Sequence, residues 1–148
     1  MCSSDLKYPI PLGVTSHRMQ DHFNLVDESI AMATMYMANH MSVKAIIALT
    51  ESGSTTRWMS RIRSDIPIYA FTPHVATSRR VALYRSVYPV SFAVDTENPR
   101  DLYQDVFDTL LANKLVAVGD LAILTKGDLG GVSGSTNSMT VIKIKSSS

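Results

Sequence analysis

Hydrophobic positions along the chain follow two alternating patterns. Short apolar runs of the length of buried strands are separated by segments in which apolar residues recur every three or four positions, the period of a helix with one buried face. The predicted strands are Ala45–Thr50, Ile66–Phe71, Val87–Val94 and Leu121–Thr125. The predicted helices are Leu25–Met41, Ser54–Ser64, Pro73 to about Arg85, and one that begins after Asn98.

The predicted helices carry start signals and apolar faces. Thr72-Pro73 and Asn98-Pro99 each place a capping residue before a proline at the first helical position, where the missing N–H costs nothing. Leu25–Met41 is apolar almost all round, which predicts burial on several sides, and we interpret its methionines as core filling. The helix after Asn98 has six apolar residues on one face: Leu102, Tyr103, Val106, Phe107, Leu110 and Leu111.

The end of the chain differs from the rest. In the segment Met139–Lys145, Ile142 and Ile144 alternate with two lysines, and the segment follows the preceding strand without a helix, which predicts an antiparallel edge strand. Apolar strands joined by helices favour a parallel sheet that is covered on both faces. The predicted fold is therefore an α/β three-layer sandwich, with about five mostly parallel strands, an antiparallel edge strand and helices on both faces.

No helical or strand period runs through the residues up to about Asn24. We interpret residues 1–14 as a leader or linker and residues 15–148 as one α/β domain. The 148 residues are 45% hydrophobic and 18% charged with a net charge of +1, which is typical of a single globular domain and excludes a disordered chain.

Charge and cysteine content exclude several function classes. No basic block provides a footprint for nucleic acid or an anionic membrane. Cys2 is the only cysteine, so no intrachain disulfide is possible, and no Cys/His cluster has the spacing of a zinc site. Apolar runs fall short of the roughly 18 residues that span a bilayer, and the first ten residues lack a signal-peptide pattern. We expect a cytoplasmic protein.

The first candidate site is the hydroxyl-rich turn Thr50–Thr56, between a strand and a helix. Gly53 lets the backbone approach a ligand closely, and free N–H groups at a helix start suit a phosphate. The GxxxxGK[ST] pattern of a P-loop is absent, so magnesium–nucleotide chemistry is not predicted. A helix cap rich in Ser and Thr is the alternative explanation.

The second candidate site is the glycine-rich loop Lys126–Thr136. It forms either a mobile flap, an anion-binding nest or ordinary turns between two strands. Both loops leave adjacent ends of the predicted sheet, so we expect them to enclose one ligand. The glycines and the residues that flank them in this loop are Lys126, Gly127, Gly130, Gly131, Gly134, Ser135 and Thr136.

No catalytic or metal-binding set emerges from the sequence. The histidines have no evident nucleophile partner, and no GxSxG elbow occurs. We interpret Arg79, Arg80 and Arg85 as cations that suit the end of their helix, with contact to a ligand as the alternative.

Nearly the whole chain from about Thr15 to Lys145 resembles the carboxy-terminal domain of pyruvate kinase. The matching stretches are DESIAMATMYMANH, AIIALTESGSTTRWMSRIRSDIPIYAFTPH, ALYRSVYPV and GDLAILTKGD followed by GSTNSMTVIKI. The motifs TESG and GSTN, together with His74, are similar to the bacterial enzymes that are activated by AMP and sugar phosphates.

The resemblance implies a regulatory domain of a glycolytic homotetramer. In the family, a separate barrel transfers phosphoryl from phosphoenolpyruvate to ADP with Mg²⁺ and K⁺, and the residues of that barrel do not match any part of this chain. We therefore expect no catalytic residue, metal or cofactor here, and partners that are the missing barrel, further copies of the chain and a phosphorylated effector. The resemblance assigns the effector phosphate to the loop residues Thr50, Glu51, Ser52, Gly53, Ser54 and Thr55, with the Lys126–Thr136 loop as their cover.

Two departures from the family pattern limit which effector this chain can bind and how tightly. Relatives commonly have arginine at the position of Ser54, so this chain lacks one cation beside the phosphate. The segment Ala93–Leu102 has no tryptophan, which argues against a fructose-bisphosphate site and favours AMP or a sugar monophosphate. A stand-alone α/β protein that binds a phosphorylated metabolite is the alternative function.

Overall fold

The computed structural model describes residues 15–95, 98–127 and 136–146, with side chains from Val26 onward except that of Pro99. The interpretation of residues 1–14 as a leader or linker lies outside this range. Helices and strands alternate through most of the chain. They are α1 Thr15–His40, β1 Ala45–Leu49, α2 Ser54–Ser60, β2 Ile68–Thr72, α3 Val75–Val81, β3 Val87–Ser91, α4 Pro99–Ala112, β4 Leu121–Gly127 and β5 Thr136–Lys143.

The strands of the described residues form one five-stranded sheet in the order β3-β2-β1-β4-β5. The first four are parallel, with Ile47 of β1 opposite Tyr69 of β2 and Leu124 of β4. β5 runs antiparallel to β4 at the edge. The predicted α/β sandwich with an antiparallel edge strand is confirmed.

Two apolar clusters cover the two faces of the sheet. On one face, α4 packs its buried Leu102, Val106, Phe107 and Leu110 against the sheet, which confirms its predicted apolar face. On the other face, α1, α2 and α3 bury residues that include Met35, Met59 and Val81 against the opposite sides of the same strands. The helices therefore lie on both faces of the sheet, as expected.

Helix α1 departs from the prediction in two ways. It begins at Thr15, ten residues before the predicted start at Leu25, because the polar residues between them carry no apolar period that would mark a helix. It is also not buried all round: Ala31 and Met35 are fully buried, whereas Met32 is 55% exposed and Tyr36 is 67% exposed. The prediction of burial on several sides was wrong, because the sheet and α2 cover one side of the helix.

The start of α3 was also predicted wrongly. Thr72 remains in β2, where it pairs with Ser91 of β3, and its Oγ1 accepts a hydrogen bond from the N–H of His74 at 3.2 Å. His74 is the N-cap residue and the helix begins at Val75. Sheet pairing therefore takes precedence over the local cap-then-proline signal, while the same signal at Asn98-Pro99 does start α4, with the Asn98 side chain accepting from the N–H of Arg100 at 3.0 Å.

The remaining differences are at the ends of elements. α2 and α3 end four residues earlier than predicted, at Ser60 and Val81, and β3 ends at Ser91 rather than Val94. β2 begins at Ile68, after Pro67, which has no N–H to donate to a neighbouring strand. β4 and β5 extend into the predicted glycine-rich loop, to Gly127 and from Thr136, and β5 ends at Lys143 rather than Lys145.

Candidate functional site

The strand order places the first candidate loop at the point where the connections of the sheet reverse direction. From β1 the chain moves to β2 and β3 on one side, and then crosses to β4 on the other side of β1. Ligands of open α/β sheets bind at such a switch point, beyond the carboxyl ends of the two strands. Here those ends lead into Thr50–Gly53 after β1 and into the glycine-rich segment after β4.

The turn after β1 is held by one backbone hydrogen bond to β2 and by one side-chain hydrogen bond within the turn. The N–H of Thr50 donates to the carbonyl of Phe71 at 3.0 Å, and the Thr50 Oγ1 accepts from the N–H of Gly53 at 2.8 Å. Gly53 is the N-cap residue of α2 and makes no side-chain cap. The alternative of a hydroxyl-rich cap is met in part by its neighbours, because the Ser52 Oγ accepts from the N–H of Ser54, the first residue of α2, at 3.4 Å.

Gly53 is required by both its conformation and its surroundings. Its φ of +85° lies in the left-handed region that side chains disfavour. A Cβ at this position would also lie 2.6 Å from Cγ1 of Val81, which is a buried residue of α3. The loop can therefore pack directly against α3 only with glycine here.

The threonine hydroxyls of the loop are buried and already bonded within the protein. Thr55 is 1% exposed, and its Oγ1 donates to Oγ1 of Thr136 at 2.7 Å. Thr56 is fully buried, and its Oγ1 donates to the carbonyl of Gly53 at 2.7 Å. Glu51, Ser52 and Ser54 are half-buried, so they form the accessible part of the predicted site.

Two basic side chains reach this loop, one from the connection between β2 and α3 and one from α3 itself. His74 Nε2 lies 3.2 Å from Oε2 of Glu51, and Arg80 Nη1 donates to the carbonyl of Ser52 at 2.6 Å. Glu51 therefore pairs with His74. Arg80 was assigned to the helix end with ligand contact as an alternative, and the structure brings it to the loop because β2 is the neighbour of β1.

Asp27 is a residue of the site that sequence reasoning missed. It is 2% exposed on α1, and its Oδ2 accepts a hydrogen bond from the Ser54 Oγ at 3.2 Å. Its Oδ1 is buried and has no hydrogen-bond partner among the described residues. Burial raises the pKa of Asp27 to about 6, against the opposing effect of hydrogen bonds from Ser54 and the backbone of Thr136.

A signal for Asp27 does exist in the sequence. Asp27, Ala31, Thr34 and Ala38 recur at helical spacing, and all four are buried. An acidic residue on the buried stripe of a helix is uncommon unless it has a partner or a function. The stripe could have identified Asp27, but the partner across the fold required the structure.

Only the two ends of the predicted flap lie within the described residues. Lys126 and Gly127 finish β4 and Thr136 starts β5, with a shift of register between Lys126 and Gly127. Thr136 lies beside Thr55, so this end of the second candidate segment adjoins the first. The predicted flap residues Gly130, Gly131, Gly134 and Ser135 lie outside the described residues.

Other kinds of site find no support in the described part of the chain. No three His, Cys, Asp or Glu side chains come together there as metal ligands would. None of the helices described is both long enough and apolar enough to cross a membrane. A surface groove of about 570 Å³ lies between β3 and the end of α4, lined by residues that include Tyr69, Tyr88 and Asn113, and it shares no residue with the loop.

The comparisons with known proteins all indicate the same family. The family described as "Pyruvate kinase, alpha/beta domain" matches residues 28–142. Pyruvate kinase II of Salmonella typhimurium is 40% identical over 147 residues, which are 98% of this chain and 30% of that enzyme. The pyruvate kinase of Buchnera aphidicola subsp. Baizongia pistaciae is 39% identical over 145 residues, 97% of this chain and 30% of that enzyme. Pyruvate kinase 2 of Synechocystis is 34% identical over 120 residues, 81% of this chain and 20% of that protein.

These relatives are much longer than the chain, which spans 30% or less of their length. The match extends over β1 to β5 and therefore includes both candidate segments. The chain belongs to the pyruvate kinase alpha/beta-domain family.

Proposed function

We propose that this chain acts as the allosteric effector-binding and oligomerisation domain of a pyruvate kinase. In this proposal the phosphate of AMP or of a sugar monophosphate binds against Thr50–Thr55, beneath the glycine-rich segment after β4. The observation that carries the proposal is the position of Thr50–Gly53 and Thr136 at the switch point between β1 and β4, where α/β sheets bind ligands.

The charges around the loop support an anionic ligand of modest affinity. Arg80 brings a cationic group to the accessible side of the loop and His74 adds a basic one, while the Glu51 and Asp27 carboxylates oppose an anion. Ser54 offers a hydroxyl where the resemblance implies an arginine. With the opposing carboxylates and no arginine at position 54, we expect a net binding free energy of about 4–5.5 kcal/mol, which corresponds to a dissociation constant of roughly 0.1–1 mM.

Binding requires a local exchange of hydrogen bonds. The hydroxyls of Thr50 and Thr55 are held by Gly53 and Thr136, so they must turn from these partners to face a phosphate. The N–H groups of the first turn of α2 are donors with no partner inside the helix, and they supply the remaining contacts. Ser52 and Ser54 are half-buried, and their hydroxyls are also engaged: that of Ser54 donates to Asp27 and that of Ser52 accepts from the N–H of Ser54, so both must exchange a partner as well.

Catalysis belongs, in this proposal, to the barrel that the longer relatives contain. Mg²⁺ and K⁺ would bind there, and this chain alone would not convert phosphoenolpyruvate and ADP. An assay of the purified chain with both substrates tests this part, and turnover would contradict it. A cytoplasmic location is part of the same proposal.

Self-association is proposed from two exposed features. β5 lies at the edge of the sheet, and α1 exposes Met32 and Tyr36 on the side that the sheet does not cover. Unpaired strand edges and exposed apolar side chains usually need cover. Sedimentation velocity should detect at least a dimer at high concentration, and a strict monomer throughout would contradict this part of the proposal.

A titration followed by amide resonances tests the ligand site. AMP, ribose 5-phosphate, glucose 6-phosphate and fructose bisphosphate are added separately to the labelled chain. We expect the first three to shift resonances of residues 50–56, with the two ends of the flap, Lys126 and Thr136, following. If none of them shifts these resonances at millimolar concentration, the loop is only a structural turn.

A further inference from the structure

The carboxylate of Asp27 lies directly beneath the proposed anion site. It contacts the loop through the Ser54 Oγ at 3.2 Å, and Ser54 is the first residue of α2. Only 2% of Asp27 is exposed, and its Oδ1 has no hydrogen-bond partner among the described residues. A buried carboxylate with an unsatisfied oxygen is costly when it is ionised and much less so when it is protonated.

No described cation compensates the charge of Asp27. The elements packed against α1 are α2, β4 and β5, and the charged side chains on them are Arg57, Lys126, and Lys143 at the far end of β5. None of the three hydrogen-bonds or pairs with the Asp27 carboxylate. Its neighbour on α1, Glu28, is another acid. A phosphate at the loop would therefore meet an ionised carboxylate that no described cation neutralises.

We infer that binding of an anion at the Thr50–Thr55 loop is coupled to protonation of Asp27, an inference that rests on the proposed function. The proton comes from solvent and is taken up on the carboxylate when the anion binds, so the bound state carries a neutral Asp27. The carboxylic acid then donates to the Ser54 Oγ, which frees the Ser54 hydroxyl hydrogen for the anion. Asp27 acts here as a positioning residue, because it reaches the ligand only through Ser54.

The position of Asp27 makes this coupling effective at neutral pH. Burial already raises its pKa to about 6, so a bound anion needs to raise the pKa only a little further to protonate it at pH 7. Linkage then requires the affinity for the anion to rise as the pH falls, by up to about tenfold per pH unit while one proton is taken up. This dependence ends below the pKa of the free protein.

Sulfate is the probe that distinguishes a proton taken up by the protein from one taken up by the ligand. It remains doubly charged over the whole range, whereas a phosphate ester itself gains a proton near pH 6. Sulfate affinity is measured between pH 6 and pH 8.5 from the amide resonances of residues 50–56. We expect the affinity of the unmodified chain to fall by at least tenfold over this range, and that of Asp27→Asn to be nearly constant and higher than that of the unmodified chain at pH 8.5.

His74 needs a separate control because histidine also changes charge near this range. It lies against Glu51 on the other side of the loop, next to Arg80 on Ser52. His74→Gln should still lose sulfate affinity as the pH rises from 6 to 8.5, as the unmodified chain does. Loss of the dependence in His74→Gln and not in Asp27→Asn would overturn the inference.

A direct titration keeps the inference testable even if Asp27→Asn does not fold. The carboxyl carbon resonance of Asp27 in the unmodified chain should change with a midpoint near pH 6, and the midpoint should rise when sulfate is present. A midpoint that sulfate does not move would overturn the inference while leaving sulfate binding, and hence the proposed function, intact. Absence of shifts with sulfate and with the phosphorylated ligands at every pH would overturn the proposed function and this inference together.

Discussion

The hydroxyl of Thr55 donates a hydrogen bond of 2.7 Å to the hydroxyl of Thr136, joining two residues that are 81 positions apart in the chain. Both are buried, at 1% and 7% exposure. The bond connects the first turn of α2 to the first residue of β5, and so the candidate loop to one end of the glycine-rich segment. The contact therefore holds the candidate loop against the start of the edge strand.

Thr55→Val should lower the free energy of unfolding by about 1–3 kcal/mol, because it leaves the buried Thr136 hydroxyl without its partner. The change keeps the shape of the side chain, so a cavity does not contribute. Urea unfolding measures the effect. Thr109→Val is the matched control, since its hydroxyl bonds only to the Asp105 carbonyl within α4.

The double variant Thr55→Val with Thr136→Val distinguishes a true pair from two independent losses. Removing both hydroxyls leaves no unsatisfied group, so the double variant should be less destabilised than the sum of the single variants. Additive effects would show that the two hydroxyls do not stabilise one another.

Gly53→Ala should destabilise the chain more than Gly119→Ala does. Both glycines have positive φ, +85° and +95°, so alanine is strained at either position. Only at Gly53 would the new Cβ collide, at 2.6 Å from the Val81 side chain, whereas nothing lies within 4 Å at Gly119. We expect a loss of about 1–2 kcal/mol at Gly119 from backbone strain, and a larger loss at Gly53. Equal losses in urea unfolding would mean that α3 yields to the added methyl group.

The sheet and its order of elements were predictable from the sequence because each strand is a compact apolar run. The ends of the helices and strands were harder to predict, since they depend on pairing between strands. Thr72, for example, stays in β2 opposite Ser91 despite the Pro73 that follows it. Local signals decide an end only where no neighbouring strand competes, as at Asn98 before α4.

The candidate site was predictable only for residues close together in the chain. The loop Thr50–Thr55 was identified from its hydroxyls and glycine, but its contacts with Asp27 and Arg80 bridge 27 and 28 positions and arise from the packing of α1 against α2 and of α3 against β2. Sequence spacing along one element does not contain such information. The resemblance assigned the loop but gave no partner for Ser54, which the structure provides in Asp27.

The stability of the chain should depend on the ionisation of Asp27. The pKa of its carboxyl is about 6 in the folded chain against an ordinary 3.8, so the folded chain holds this proton more tightly than the unfolded chain does. Its contribution to stability is therefore fully present below about pH 4 and is lost as the pH rises through about 6, with a total of about 3 kcal/mol for a shift of roughly two units.

Urea unfolding between pH 4 and pH 8 tests this dependence against Asp27→Asn. The free energy of unfolding of the unmodified chain should decline relative to that of the variant as the pH rises, and the difference should level off above about pH 7. Other groups titrate equally in both proteins and cancel in the comparison. Parallel pH profiles would show that Asp27 titrates alike in the folded and unfolded chains.

Ser54→Arg should strengthen binding of a phosphorylated ligand. A guanidinium at the start of α2 adds a charge-assisted hydrogen bond to the phosphate, worth about 1.5–3 kcal/mol or roughly 10- to 100-fold in affinity. Ser60→Arg is the control, because it adds the same charge at the last residue of α2, away from the loop. Titration of AMP, followed by the amide resonances of residues 50–56, measures the affinity of both variants. An equal gain of affinity in both would mean that the added net charge, and not a contact at position 54, causes the effect.

The same variant should also change the response to pH. In the unmodified chain the Ser54 hydroxyl is the bridge between Asp27 and the loop, at 3.2 Å from Oδ2. An arginine at position 54 lies against both carboxylate and ligand, so it keeps Asp27 ionised and removes the need for a proton when the anion binds. Sulfate affinity of Ser54→Arg should therefore be nearly constant between pH 6 and pH 8.5. A persistent rise in affinity at low pH, in a variant that binds more tightly, would show that the proton is taken up somewhere other than Asp27.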